Sequence, residues 1–148
     1  MSGSMDLRDE INKRKKDGWI EAWFAIEALA VKEDIVKNAL ELHVKKLSAI
    51  KGAFVYETKF SDIKTVEKPL KNIEKGYSQI VELKLFVKNL LTLIKIVMLY
   101  GPSSIEILGP NELKIKIDEV QNIANVIATL VHQFASAGVG GIVISPEK

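Results

Sequence analysis

The alternation of hydrophobic and polar positions is clearest over residues 77–87 (YSQIVELKLFV). A period of two with one mostly apolar side predicts a half-buried strand. The apolar side holds Tyr77, Gln79, Val81, Leu83, Leu85 and Val87, and the other side holds Ser78, Ile80, Glu82, Lys84 and Phe86. From Leu90 to Tyr100 the residues are apolar nearly all round, which predicts a buried helix. Asn89 suits its N-cap, and Gly101 followed by Pro102 suits its end.

Three elements are expected before this strand. Trp19–Ala30 (WIEAWFAIEALA) fits either a strand or a helix. We predict a strand with Ile20, Ala22, Phe24, Ile26 and Ala28 on one side, because Lys32-Glu33-Asp34 that follows is typical of a helix start. Asp34–Ile50 has a helical stripe formed by Ile35, Ala39, Leu42, His43, Leu47 and Ile50. Ala53–Phe60 is predicted as a strand with Phe54, Tyr56, Thr58 and Phe60 on one side, and residues 61–76 as a long connection.

The segment after Pro102 predicts a hairpin and then an amphipathic helix. Two short strands are expected around a turn at residues 109–112, the second strand ending near Ile117. Asp118 and Gln121 have the spacing of a capping box at the start of a helix over residues 120–137. Its apolar stripe is Val120, Ile123, Ile127, Leu130 and Phe134. Gly138 is expected to end the helix, and Ile142–Ile144 to form an edge strand.

The order of these elements predicts an α+β fold. It resembles the split βαβ (βαββαβ) sheet of ferredoxin-like domains, with an added C-terminal strand, an amphipathic helix and an edge strand. We expect one α+β domain over residues 19–148, preceded by a charged arm (residues 1–18) that is either flexible or a short exposed helix. Residues 1–4 ahead of Met5 are typical of an expression remnant. The stripe of the last helix needs cover, which either its own sheet or a second chain can supply.

Composition narrows the class of protein only a little. The 148 residues are 47% hydrophobic and 27% charged, which is typical of a globular protein. The net charge of +2 gives little reason to expect nucleic acid, and no apolar run approaches the roughly 20 residues of a membrane span. The absence of cysteine and the charged residues Asp6–Glu10 favour a cytoplasmic protein over a secreted one. Abundant Lys, Ile and Glu are typical of thermophile proteins.

The residues that could carry chemistry are few. Trp19 and Trp23 share one side of the first predicted strand with Glu27, and they suit either the core or an interface. His43, in the stripe of the first predicted helix, suits a buried structural histidine, or a base or ligand beside Glu27 or Glu57. Tyr56 and Phe86 could stack on bases. No catalytic set, metal site or cofactor motif is predicted, and Gly138–Gly141 follows a helix instead of preceding one, unlike a phosphate loop.

Three classes of function remain open. The first is a non-catalytic module that senses a small molecule or drives assembly, similar in element order to ferredoxin-like regulatory domains that form homodimers and bind ligands between subunits. The second is RNA binding, for which the strand at residues 77–87 lacks the glycines of the RNA-recognition pattern and carries Glu82. The third is an enzyme of a class that the sequence does not specify.

Overall fold

The computed structural model describes residues 6–137, and the chain divides into two compact units after Glu112. The described part of the chain is an α+β protein with four helices and one five-stranded antiparallel sheet, which confirms the predicted class. The first unit contains α1 (Leu7–Lys16), β1 (Ile20–Ala30), α2 (Glu33–Ser48), β2 (Ala53–Phe60), β3 (Lys64–Leu70), β4 (Ile73–Val87), α3 (Leu90–Tyr100) and β5 (Ser104–Gly109), and the second contains α4 (Ile117–Ser136).

The sheet has the strand order β2-β4-β1-β5, and β3 pairs with the far end of β4. Each neighbouring pair is antiparallel. α2 connects β1 to β2 and α3 connects β4 to β5, so β4 lies between two strands that precede it in the chain. The long β4 is therefore the centre of the sheet, as its pronounced alternation suggests.

The hydrophobic core lies on the face of the sheet that α2 and α3 cover. The predicted apolar sides of β1 and β4 are confirmed, because their alternate residues are buried there. The core cluster comprises Ile20, Ala22, Phe24, Ile26, Leu40, Val44, Leu47, Val81, Leu83, Leu85, Val87, Leu93 and Ile96. Burial of a large apolar side chain stabilises a fold by roughly 1.5–3 kcal/mol, so this face provides most of the packing energy.

α3 has the predicted bounds and caps. The Asn89 side chain accepts a hydrogen bond from the Thr92 N–H at 2.9 Å, and Gly101 ends the helix at φ 58°, a left-handed conformation that favours glycine. The prediction of a buried helix holds for one side of α3 only. Leu93 and Ile96 are buried, whereas Lys95 and Leu99 are exposed, because the helix contacts the sheet along one side.

The helix α2 is confirmed, and its predicted stripe is right at Leu47 but wrong at Ile35, Ala39 and Leu42. The buried residues are Val36, Leu40, Val44 and Leu47, while Ile35 and Leu42 are exposed. Two overlapping stripes in this helix have three- and four-residue steps, and the sheet packs against the one that contains both valines.

β2 contains a bulge that the sequence pattern did not predict. The pairing with β4 changes register between Val55 and Glu57, so Tyr56 has no partner of its own. Phe54 and Glu57 therefore face the same side, and Thr58 and Phe60 turn to the helix-covered side. The prediction that Phe54, Tyr56, Thr58 and Phe60 share one side is wrong for this reason.

Residues 61–76 form a hairpin rather than a long connection. β3 pairs with the first part of β4 from Lys64–Ser78 to Leu70–Ile73. The charges and Pro69 obscure the period of two, because neither face of this hairpin needs to be apolar along its whole length.

Two expectations for the second unit are wrong. Residues 113–116 are not a strand, and α4 begins at Ile117 with Lys116 as its N-cap. Asp118 therefore lies inside the first turn, where its carboxylate accepts from the Glu119 N–H, and Gln121 bonds to Asn125 instead of closing a capping box. The predicted glycine stop at Gly138 and the edge strand Ile142–Ile144 lie outside the described residues.

Candidate functional site

The face of the sheet opposite α2 and α3, which we call the open face, is lined by the polar sides of the strands. The register places Glu57, Lys84, Trp23 and Glu106 in one row across β2, β4, β1 and β5. In the segments where these four strands pair with one another, the open face carries five glutamates and two lysines, which are Glu21, Glu27, Glu57, Glu82 and Glu106, and Lys59 and Lys84. It is therefore an acidic surface that attracts cations.

Trp23 lies at the centre of the open face. Its Nε1–H donates to Glu82 Oε1 at 3.1 Å, which leaves the indole half-buried along the sheet. Beside it Lys84 Nζ lies 3.7 Å from Glu57 Oε2, an exposed ion pair that contributes little to stability.

One end of the open face meets α1, the segment predicted as a charged arm or a short helix. Asp6 caps this helix by accepting from the Asp9 N–H at 2.9 Å, and the chain turns at Gly18 with φ 79°. Arg14 links α1 to the sheet. Its guanidinium carbon lies 3.9 Å from the ring centroid of Phe54 and 5.1 Å from that of Trp19, and Nη1 donates to Glu10 Oε1 at 2.6 Å. The cation thus holds the Trp19 ring in place.

A cavity of about 410 Å³ opens beside Trp19. It lies where the end of α1, the start of β1 and the end of β5 meet, and this volume is in the range of small-molecule sites. Its lining consists of Lys15, Trp19, Glu21, Phe86, Leu108, Gly109, Pro110 and Asn111. We call it the Glu21 cavity.

The Glu21 carboxylate is oriented by a residue that lies two strands away, on β2. The Tyr56 hydroxyl donates to Glu21 Oε2, and the Tyr56 ring packs on Phe86 with centroids 5.3 Å apart. Burial raises the pKa of Tyr56, and the hydrogen bond to Glu21 and the charges of Glu21 and Glu57 raise this pKa further. Tyr56 therefore stays protonated at physiological pH and remains a donor to the carboxylate.

A second, smaller cavity of about 240 Å³ contains His43 and Glu27 in its lining, together with Leu40, Tyr100 and Gly101. His43 Nε2 lies 2.8 Å from the Tyr100 carbonyl oxygen, which can only accept, so Nε2 carries the proton. The Glu27 carboxylate accepts from Ser78 Oγ at 2.6 Å on the open face. Glu57 lies on that face as well, whereas His43 belongs to a helix on the other face. The two groups proposed as partners of His43 are therefore engaged elsewhere.

The five residues singled out from the sequence fall into three places. Trp19 lines the Glu21 cavity and Tyr56 is bonded to its carboxylate, Trp23 lies at the centre of the open face, and Glu27 and His43 line the second cavity. Sequence reasoning missed Lys15, Leu108 and the role of Glu21. Among residues 6–137, no group of three or more side chains is arranged to hold a metal ion.

The fold and the lining define a small α+β protein with a ligand-sized cavity at one end of an acidic open sheet face. The chain belongs to the MJ0538 family, whose model matches residues 21–147. A comparison with curated proteins gave no match. None of the helices that the structure describes has the length and hydropathy that a membrane crossing requires.

Proposed function

We propose that this protein is a non-catalytic module that binds a small molecule in the Glu21 cavity and acts through a self-associating, ferredoxin-like domain. The strand order β2-β4-β1-β5, with α2 and α3 as the crossover helices, supports the ferredoxin-like assignment. The fold alone does not define a function, so the proposal depends on the cavity.

The observation that carries this proposal is the composition of the cavity wall. An indole, a leucine and a proline supply apolar contact, and an oriented carboxylate and an ammonium supply polar contact. Apolar side chains combined with a few fixed polar groups are usual in a small-molecule site.

The electrostatics favour a small molecule over RNA. A phosphate backbone needs a basic surface, whereas five glutamates lie on the open face. Phe86 is fully buried beneath Tyr56 and is therefore not free to receive a base, and the Tyr56 ring already packs on Phe86. Retention of mixed single-stranded RNA on a filter at low salt would reverse this preference.

Self-association is supported by the outermost strand. Ile105 and Ile107 of β5 are 42% and 49% exposed, and the outer edge of β5 has no partner strand among the described residues. Apolar side chains on an unpaired edge are suited to pairing with a second copy. The oligomeric state measured by light scattering tests this part of the proposal.

The two tryptophans make the binding proposal testable by fluorescence. We expect native mass spectrometry of the purified protein, or a thermal-shift screen of metabolites, to identify a ligand. That ligand should change the emission of the Trp23→Phe variant, which retains Trp19 in the cavity, because the indole then contacts it directly. The matched Trp19→Phe variant retains Trp23 outside the cavity and should respond much less. Equal responses from both variants, or no ligand by either method, would contradict the proposal.

A further inference from the structure

The Glu21 cavity contains one group of each charge, and neither is neutralised by the protein. Among the described residues, neither the Glu21 carboxylate nor the Lys15 ammonium lies within 4.0 Å of an opposite charge. Both side chains belong to the lining of the same cavity, Glu21 half-buried on β1 and Lys15 exposed on the last turn of α1. A ligand with complementary charges would satisfy both groups.

One oxygen of the Glu21 carboxylate, Oε1, is available to accept hydrogen bonds from a ligand. Tyr56 donates to Oε2 and remains protonated because its pKa is raised, so this bond persists when a ligand enters. Oε1 accepts no hydrogen bond among the described residues, and an ionised carboxylate oxygen can accept two. A ligand ammonium, with three N–H donors, suits this oxygen better than a neutral group does, since charge-assisted bonds are stronger.

The remaining wall combines apolar side chains with Gly109 and Asn111. Trp19 is fixed by Arg14 on one of its sides, and Leu108 and Pro110 come from the end of β5 and the residue after Gly109. These side chains suit the hydrocarbon or aromatic body of a ligand, which would lie between the two charged groups.

We infer that the Glu21 cavity takes a small organic zwitterion. Its ammonium binds Glu21 Oε1, its apolar body packs on Trp19, Leu108 and Pro110, and its carboxylate meets Lys15 at the rim. An α-amino acid with a large apolar side chain is the simplest molecule with this chemistry. The inference rests on the proposed function, and it specifies the ligand class of the same cavity.

The experiment uses the full-length Trp23→Phe protein, in which Trp19 reports binding, and three probes of matched size. L-Phenylalanine carries both charges, phenethylamine only the ammonium and 3-phenylpropionate only the carboxylate. We expect L-phenylalanine to bind most tightly, with a loss of about tenfold or more for each missing charge, the usual effect of removing a charged hydrogen-bond partner.

Two substitutions assign each charge to its residue. Glu21→Gln should weaken L-phenylalanine and phenethylamine but not 3-phenylpropionate, and Lys15→Met should weaken L-phenylalanine and 3-phenylpropionate but not phenethylamine. Lys16→Met removes the neighbouring lysine of α1 and serves as the control. Lys15 is exposed, so its variant should fold even where the Glu21 variant, monitored by thermal melting, does not.

The outcomes separate this inference from the proposed function. If L-phenylalanine, L-leucine and L-methionine give no saturable signal up to about 10 mM, or if the single-charge probes bind as well as L-phenylalanine, the zwitterion assignment is wrong. The proposed function would survive that result if another ligand from the screen changed Trp19 emission. It would fail with the inference if no ligand were found at all, or if every ligand changed the emission of both tryptophan variants equally.

Discussion

Tyr56 shows how one extra residue in a strand changes a surface. It occupies the bulge of β2, where two residues of one strand oppose one residue of the next. The bulge directs its ring onto Phe86 and its hydroxyl to Glu21, two strands away across β4. In a regular strand Phe54, Tyr56 and Thr58 would all lie on the same side of the sheet, and Glu57 would lie on the other side. The bulge thus adds the Glu57 carboxylate to the open face beside the Tyr56 donor.

The raised pKa of Tyr56 gives a prediction about pH. Its causes are burial first, then the hydrogen bond to Glu21 and the nearby carboxylate charges. We expect the tyrosinate absorbance of Tyr56, obtained as the difference between wild type and Tyr56→Phe, to develop well above the ordinary pKa of about 10. Glu21→Gln should lower this pKa, because it removes the anion that opposes ionisation, while the effect of burial stays.

The raised pKa of Tyr56 also determines the direction in which the stability of the protein changes with pH. Because the folded-state pKa is higher than that of the unfolded chain, the Tyr56 contribution is complete below about pH 10 and decreases as the pH rises through the folded-state value. Glu106→Gln, on the same face but not bonded to Tyr56, is the control and should leave the Tyr56 titration unchanged. Ionisation of Tyr56 near pH 10 in the wild type would contradict the hydrogen bond to Glu21.

Single residues were only partly predictable as members of the site. Trp19 and Tyr56 attract notice because large aromatic side chains are prominent in any sequence. Lys15, Glu21 and Leu108 carry no local signal, since each is one of many similar residues and the Glu21 cavity arises only when three separate elements meet. A bulge cannot be deduced from a period of two, and it decided where Tyr56 points.

At the scale of whole elements, α2 offers a direct test of the packing. Leu40 is 1% exposed and Leu42 is 51% exposed, although only Leu42 belongs to the stripe predicted from the sequence. We expect Leu40→Ala to lower the free energy of unfolding by about 2–5 kcal/mol, since it removes core contacts and leaves a cavity. Leu42→Ala should change it by no more than about 0.5 kcal/mol, as surface substitutions usually do.

Urea denaturation of the two variants measures this difference, provided that the slope of the transition is unchanged. The pair is matched in residue type, helix and substitution, so helix propensity cancels between them. If Leu42→Ala cost as much as Leu40→Ala, the stripe expected from the sequence would describe the protein in solution better than the structure does.

Elements were predictable where two independent signals agreed. For α3, a capping asparagine, an apolar run and a terminal glycine all give the same bounds, and β2 is bracketed by Gly52 and a change to polar residues. The hairpin of β3 and the first part of β4 was missed because Pro69 and the alternating charges give no apolar period. Asp118 and Gln121 have capping-box spacing by chance, because the helix begins at Ile117.

At the scale of the whole molecule, charge is unevenly distributed, because the open face is acidic and α1 is basic. The net charge of +2 does not reveal this uneven distribution, because composition gives the number of charges but not their positions in the fold. The sheet face that a nucleic acid would need repels phosphate, while the four consecutive cations at residues 13–16 lie on α1. One of them, Arg14, is committed to Trp19, Phe54 and Glu10. Charge placement, and not net charge, thus favours a small molecule as the ligand.

The outer edge of β5 gives the last prediction, which concerns the oligomeric state. Ile105 pairs with Phe24 and Ile107 with Ala22, so both isoleucines lie on the core side of the sheet, yet they are 42% and 49% exposed at its edge. A second copy paired through β5 would extend the sheet and bring the isoleucines of the two copies together. The six residues Ser104–Gly109 contain no lysine or proline that would block such pairing.

We expect light scattering to give the mass of a dimer for the wild type at tens of micromolar. Ile107→Lys should give the monomer mass, because it places a charge where the two isoleucine layers would meet. Leu42→Lys is the matched control, since Leu42 is about as exposed but lies on α2, and it should leave the dimer intact. A short edge with few apolar side chains buries less than a standard interface of about 1,600 Å², so dissociation at submicromolar concentration is expected. A wild-type monomer at tens of micromolar, or an unchanged dimer in Ile107→Lys, would mean that β5 is not the interface and that its isoleucines have another role.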